Sequence, residues 1–191
     1  MRIISGQFKG FKLLKIDKQG IRPTLGRAKE SIFNILSSIL KKRCKDYFDL
    51  TVIDGFCGTG ALGIEALSRG AKEVLFIDNS KHSIELVKKN CELLKIHERV
   101  SFHLGDILKL NKKNYMADLF FLDPPYSFKD YDLFFKTFDQ KRIFAKEAIV
   151  ILETSKSISF LELEKFSTIK KKKISNSNFF FLEYSSSSSV K

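Results

Sequence analysis

Thr51-Val52-Ile53-Asp54-Gly55-Phe56-Cys57-Gly58-Thr59-Gly60-Ala61-Leu62-Gly63 is the stretch whose reading decides the fold. It opens with β-branched and apolar residues, the composition of a buried strand. An acid and a cluster of glycines follow. From Thr59 the chain continues Thr-Gly-Ala-Leu-Gly-Ile-Glu-Ala-Leu-Ser-Arg-Gly, with apolar residues at 61, 62, 64, 66 and 67 and a stop signal at Gly70. The order is strand, tight glycine turn, helix. Such a turn lets backbone approach a ligand closely and aims helix N–H groups at it.

Two ligands fit the turn. Gly58-Thr59-Gly60-Ala61-Leu62-Gly63 matches the G-x-G-x-x-G of dinucleotide-binding turns, and Asp78 follows at the spacing of a ribose-binding acid. Asp54 points the other way, because a pyrophosphate is repelled by a carboxylate at the end of the strand. S-adenosylmethionine (SAM) carries no phosphate but does carry an ammonium and a sulfonium, which an acid there can answer. On the turn alone both ligands stay open, as does a turn that binds nothing.

Working outward, the alternation of strand and helix repeats. Glu73–Asp78 predicts a second strand, and residues 80–94 predict a helix capped by Asn79 or Ser80. Val100–Leu104 predicts a third strand running into Gly105-Asp106, and Ala117–Leu122 a fourth, almost wholly apolar, running into Asp123-Pro124-Pro125-Tyr126. A short helix is expected over 129–138, then a fifth strand at Ala148–Leu152 ending in Glu153. Continuous apolar strands alternating with helices specify an α/β fold whose parallel sheet is covered on both faces. The pattern breaks at the end of the chain. Phe166–Ile174 and Phe179–Tyr184 read as two strands joined by Ser175-Asn176-Ser177-Asn178. The expected sheet therefore has seven strands, mostly parallel, with an antiparallel edge hairpin at its C-terminal end. The Ser-rich tail, 185–191, is expected to be disordered.

The 191 residues suit one domain with a small appendage, and 43% hydrophobic residues is ordinary for a globular protein. Lys and Arg outnumber Asp and Glu by 34 − 22 = 12, which favours a polyanionic partner, nucleic acid first. The three cysteines, Cys44, Cys57 and Cys91, have neither disulfide-framework nor zinc spacing, and a reducing cytoplasm is the expected setting. His82, His97 and His103 are scattered, and no metal is expected. No apolar run approaches membrane-spanning length, so no membrane role is expected.

Residues 1–24 form an N-terminal basic arm or hairpin in this reading, with the remaining domain at 25–184. The arm interleaves Ile3, Ile4, Phe8, Phe11, Leu13, Leu14 and Ile16 with Arg2, Lys9, Lys12, Lys15 and Lys18, a pattern that suits phosphate contacts or a solvated edge. It is expected to stand apart from the glycine turn. Arg22-Pro23-Thr24 marks a boundary, with Thr24 able to cap an amphipathic helix over 25–40. Lys170–Lys173 is read first as charge guarding an edge strand, with RNA contact the alternative.

Asp54, Asp78, Asp106 and Asp123 each follow a predicted strand, and in an open α/β sheet the carboxyl ends of the strands form one crevice. A ribose offers hydroxyls to Asp78, adenine an amino group to Asp106 or the adjacent backbone, and the positive methionine end of SAM answers Asp54. Asp123-Pro124-Pro125-Tyr126 is the sharper signal. Two prolines stiffen the backbone after a buried strand. The carboxylate and a proline carbonyl make the site rich in acceptors, and Tyr126 adds a flat face on which a base can stack. That suits a substrate –NH₂, whose two hydrogens are held so that its nitrogen lone pair aims at a methyl donor.

These residues resemble a family. Asp54-Gly55-Phe56-Cys57-Gly58-Thr59-Gly60 followed by Asp123-Pro124-Pro125-Tyr126 resembles the SAM-dependent methyltransferases that act on amino groups. Three further stretches narrow it to the RsmD family. They are Arg2-Ile3-Ile4-Ser5-Gly6 with Gly10, Ile21-Arg22-Pro23-Thr24 leading through Arg27 and Glu30 to Phe33-Asn34-Ile35-Leu36, and Gly60 through Ala71. The resemblance covers about residues 1–153. It departs at Gly26, where the family often has a polar residue, and at Cys57, where alanine is usual. It implies a Rossmann-like class I methyltransferase sheet with a reversed edge strand. It also implies transfer of a methyl group from SAM to the exocyclic N2 of a guanine in bacterial 16S ribosomal RNA, by a monomer acting on ribosomal RNA or the small subunit. The cofactor would be held by Asp54, Phe56, Gly58, Thr59, Gly60, Asp78, Asn79, Asp106 and Ile107. Catalysis would rest on Asp123, Pro124, Pro125 and Tyr126, and RNA would be met by Arg2, Lys9, Lys12, Arg22, Thr24 and Arg27.

The rivals are an adenine-N6 methyltransferase, for whose separate target-recognition region 191 residues leave little room, and an NAD-dependent oxidoreductase, which leaves Asp54 and Asp-Pro-Pro-Tyr without work. An RNA-binding module with a dead cofactor site is the third, set against an intact glycine turn.

Overall fold

Each apolar run read as a strand is a strand in the computed structural model, which describes residues 1–15, 24–111, 115–125, 127–154 and 164–186. The strands are β1 (Thr51–Gly55), β2 (Glu73–Asp78), β3 (Val100–Leu104), β4 (Ala117–Leu122), β5 (Phe144–Thr154), β6 (Phe166–Ile174) and β7 (Ser177–Tyr184). The helices are α1 (Thr24–Lys42), α2 (Ala61–Ser68), α3 (Lys81–Leu93) and α4 (Tyr131–Gln140). They build one mixed sheet in the order β3-β2-β1-β4-β5-β7-β6, parallel from β3 through β5. The reversed strand is β7, antiparallel to both neighbours, so it lies inside the sheet and β6 takes the edge.

Strand pleating divides the core in two. Val52, Val74, Phe76, Leu119, Phe121, Ile149 and Ile151 face one side, where α1, α2 and α3 pack. Ile53, Leu75, Ile77, Phe120, Leu122, Val150 and Leu152 face the other, with α4 and a short 3-10 turn, Ile107–Lys109. Both faces are apolar, hence the continuous apolar strands.

Several boundaries differ from the sequence expectation, and α1 and β5 each run two residues past their expected ends, to Lys42 and Thr154. β5 starts at Phe144 rather than Ala148, because an irregularity at its start carries the charged pair Lys146-Glu147, with Glu147 at φ +61. The fourth helix runs 131–140, not 129–138. The β6–β7 loop is only Ser175-Asn176, because Ser177 and Asn178 continue the pairing opposite Ile174 and Lys173.

The arm does not stand apart from the rest. Its hairpin is held by a bridge between Arg2 and Lys12, and Ile3 and Leu13, each 2% exposed, are inserted in the core. On α2, the buried Glu65 takes backbone N–H groups of Ile4 (2.8 Å) and Ser5 (3.0 Å), together with Lys29 Nζ of α1 (2.8 Å) and Arg69 Nε (3.0 Å). Lys29 Nζ also donates to the Arg2 carbonyl at 2.7 Å. Ser68 Oγ accepts from Phe8 N and donates to the Ser5 carbonyl. Asn90 of α3 accepts from Leu14 N at 2.8 Å and donates to the carbonyl of Thr59 at 3.1 Å, so one side chain ties arm to glycine turn.

Candidate active site

β1 ends in a turn of unusual backbone. Phe56 (φ +63), Gly58 (φ +52) and Gly60 (φ +74) all lie in the left-handed region, which a side-chain-bearing residue such as Phe56 enters only at a cost. A Cβ added at Gly60 would sit 2.2 Å from Val87 Cγ2, so glycine there lets α2 start against α3. A Cβ at Gly58 would meet nothing within 4 Å, so this backbone faces open space.

Two carboxylates organise the turn. Gly60 stands at the N-cap of α2 and has no side chain to cap it; Asp54 Oδ2 instead accepts from Gly63 N at 2.8 Å. Burial pushes the Asp54 carboxyl from 3.8 up to about 8, and the charges of Asp123 and Asp78 push the same way against that hydrogen bond. Asp78 accepts from Gly58 N (2.9 Å) on one oxygen and Ser80 N (2.8 Å) on the other, so it shapes the turn from the end of β2. Cys57 is buried and its thiol is pushed well up by burial, so it is a packing residue there and no nucleophile.

Because β1, β4 and β5 are neighbours, their C-terminal ends meet at one cavity of about 230 Å³. Asp54, Phe56, Gly58 and Thr59 line it from the turn, Asp123 from the end of β4 and Glu153 from the end of β5. Ala28, Lys29 and Ile32 of α1 and Met1 of the arm close it. Beyond Asp123, Pro124 is buried, and the carbonyl of Pro125 accepts from Phe128 N at 2.8 Å. Phe128 stands edge-on to Phe56 (5.2 Å) and to Tyr131 (5.1 Å), a row of rings joining the two loops.

The cavity thus brings Asp54, Phe56, Gly58, Thr59 and Asp123 together. Asp78, Asn79, Asp106 and Ile107 sit at the adjoining ends of β2 and β3 and do not line it. Asn79 is exposed; Asp106 caps the 3-10 turn by accepting from Leu108 N, and Ile107 is buried. Arg2, Lys9, Lys12 and Arg27 are exposed, with Arg2 and Lys12 paired across the hairpin. Thr24 begins α1. Tyr126, Arg22 and the tail 187–191 lie outside the described residues.

Sequence reasoning passed over Glu153, Lys29 and Glu65. Glu153 could be found as one more acid at a strand's end. Glu65 sits in the apolar run of α2 and Lys29 beside the apolar stripe of α1; a charge in a buried position demands a partner.

The whole chain can be set beside known proteins. A family model described as conserved hypothetical protein 95 matches residues 1–183. The chain is 33% identical over 177 residues to ribosomal RNA small subunit methyltransferase D of Haemophilus influenzae, a match covering 90% of this chain and 88% of that protein. It is 30% identical over 167 residues to a Bacillus subtilis protein named "Putative rRNA methyltransferase YlbH", covering 85% and 86%. The solved structure of "Putative methyltransferase yhhF" from Escherichia coli superposes with a TM-score of 0.80 at 25% identity, over 98% of this chain and 99% of that one. Fold and a match running from arm to last strand agree, and the chain belongs to the conserved hypothetical protein 95 family, the RsmD family.

Proposed function

We propose that this protein transfers a methyl group from SAM to the exocyclic N2 of a guanine in small-subunit ribosomal RNA, in the cytoplasm. The observation that carries the reading is the shared cavity, in which Asp123 opens onto the same space as Asp54 and Gly58. The residues fit the cofactor: open space over the Gly58 backbone admits a close approach, and a buried acid answers a positive ligand. A pyrophosphate would instead meet the carboxylates of Asp123 and Glu153, which disfavours the dinucleotide reading.

Bound SAM supplies an electrophilic methyl on a sulfonium. Asp54 would hold the positive methionine end, Asp78 would receive the ribose hydroxyls beside its two N–H donors, and Asp106 with Ile107 would bound the adenine. Asp123 and the carbonyl of Pro124 accept the two hydrogens of the target amine, and Tyr126 stacks on the base, worth about 1–3 kcal/mol. Holding the amine this way frees its lone pair from the ring and aims it; no base is needed before transfer. Afterwards the surplus proton passes to solvent, to which Asp123 at the cavity mouth is exposed. The relatives' names favour RNA over DNA.

The test is transfer of tritiated methyl from SAM to small-subunit RNA, naked or in the subunit, followed by mass spectrometry of the nucleosides. N2-methylguanosine is the expected product. N6-methyladenosine would transfer the assignment to the rival chemistry.

A further inference from the structure

Away from the cavity, α1 and β6 enclose an open groove of about 1000 Å³. Its helix wall is a stripe at Arg27, Ser31, Asn34, Ser38 and Lys42, positions that recur every three or four residues and so share one face. Every member can donate a hydrogen bond and none is acidic. The opposite wall is β6. A bulge at Ile169 shifts its register, and beyond it the pleat turns Lys170 and Lys172 into the groove. Lys171, on the other face, lies over the ring of Phe180 at 5.0 Å.

The charge balance is one-sided. Arg43 in the groove is paired with Glu183 at 2.6 Å. Arg27, Lys42, Lys170 and Lys172 have no ion-pair partner among the described residues, and Glu30 is the groove's remaining acid. The groove also has a direction. Ala28 and Ile32, at the N-terminal end of α1, line the candidate active site. On the sheet, Glu153 of β5 pairs with Phe179 of β7, which pairs with Lys172 of β6, so Lys172 stands level with the cavity about 10 Å away across two strands. From Arg27 to Lys42 the helix wall runs about 22 Å away from that mouth.

We infer that this groove is a track for the RNA backbone, in which Lys170, Lys172, Arg27 and Lys42 hold the phosphates of the strand flanking the nucleotide presented at Asp123. The inference rests on the proposed RNA substrate. A lysine run that only guards an edge would have no use for a facing wall of donors, nor for delivering two of its charges into a groove that leads to the cavity. Single-stranded RNA has phosphates and sugar hydroxyls along its length, which suit a row of neutral donors flanked by cations.

The test compares two double variants in the full chain, Lys170→Gln with Lys172→Gln and Lys171→Gln with Lys173→Gln. Both remove two charges from one strand, but only the first takes them from the groove. Binding of a fluorescein-labelled single-stranded oligoribonucleotide is followed by anisotropy across salt, and S-adenosylhomocysteine binding by calorimetry. Removing one lysine–phosphate pairing should flatten the log–log salt slope by about 0.7, so the groove pair should flatten it by about 1.4 and weaken binding about 25-fold at 0.1 M salt, with the difference closing toward 1 M. The opposite pair should leave the slope near wild type, and both should bind S-adenosylhomocysteine as wild type does. Equal effects from the two pairs would reduce the lysines to general net charge and overturn the inference. So would an unchanged slope in the groove pair, including the case where that pair loses only binding to the protein-clad subunit, which would make the groove a protein dock. Failure of the wild-type protein to methylate ribosomal RNA would instead strike the proposed function, a result the tritium assay reads separately.

Discussion

Glu65→Gln tests what holds the arm against the body. Glu65 is fully buried, and each of its oxygens takes two donors: Ser5 N and Arg69 Nε on one, Ile4 N and Lys29 Nζ on the other. Glutamine keeps one oxygen and turns an –NH₂ toward two donors whichever way it flips. The 2%-exposed Lys29 also loses its countercharge. Breaking a buried ion pair from one side costs about 3–5 kcal/mol, a large share of a domain's whole stability. Burial already lowers the Lys29 pKa, and Glu65 is what holds it up. In the variant the folded chain should therefore shed the Lys29 proton while the unfolded chain keeps it, so stability should rise with pH toward the ordinary lysine range and the deficit should shrink. Adding Lys29→Met should recover part of the loss, since no stranded charge remains. Equilibrium urea unfolding by circular dichroism, near neutral pH and at higher pH, reads all three quantities. A loss under about 1 kcal/mol, or a deficit indifferent to pH and to Lys29→Met, would refute the view that this carboxylate anchors the arm.

Asp123→Ala should cost about two orders of magnitude in methyl-transfer rate with S-adenosylhomocysteine affinity unchanged; Asp123→Asn, keeping one acceptor, should fall between, and an Asn variant as inactive as Ala would mean a proton acceptor rather than a positioning group. Asp54→Asn should flatten the stability–pH profile of the ligand-free protein: with its carboxyl raised to about 8, the fold holds a proton that the unfolded chain has released. Wild-type stability should therefore fall as pH climbs from about 4 to about 8, by at most about 1.4 kcal/mol per unit from this group, and parallel urea-derived profiles for the two proteins would contradict the raised pKa. Gly58→Asp should abolish S-adenosylhomocysteine binding by calorimetry yet leave a folded protein, because its Cβ meets nothing within 4 Å and the positive φ costs only about 1–2 kcal/mol; retained affinity would remove the cofactor from this turn.

The central parallel strands were legible because both faces of the sheet are buried there, so β2 and β4 announce themselves as apolar runs with their observed bounds. The cavity was legible in outline because acids at strand ends converge by topology. Relations carried by single polar atoms over long sequence distances were not. Nothing local in Asn90 says that it reaches both Leu14 and Thr59, and nothing local in Glu65 says that it gathers the arm. The arm's basic residues suggested an appendage, while its apolar alternates, Ile3 and Leu13, were the ones that decided its place.

The position of β7 bears on how the chain is made. Synthesis runs from the N-terminus, so β5 and β6 leave the ribosome before the strand that separates them. At about 5–20 residues per second, the interval from the end of β6 to the end of β7 is on the order of a second. Throughout it the Ala148–Leu152 run of β5 presents an open, apolar border on which another nascent chain could template. β6 waits with no neighbour to pair with, and it is β6 that carries Lys170–Lys173. Mutual repulsion among those lysines disfavours like-with-like association of waiting chains until Phe179–Leu182 arrive and the sheet closes around them.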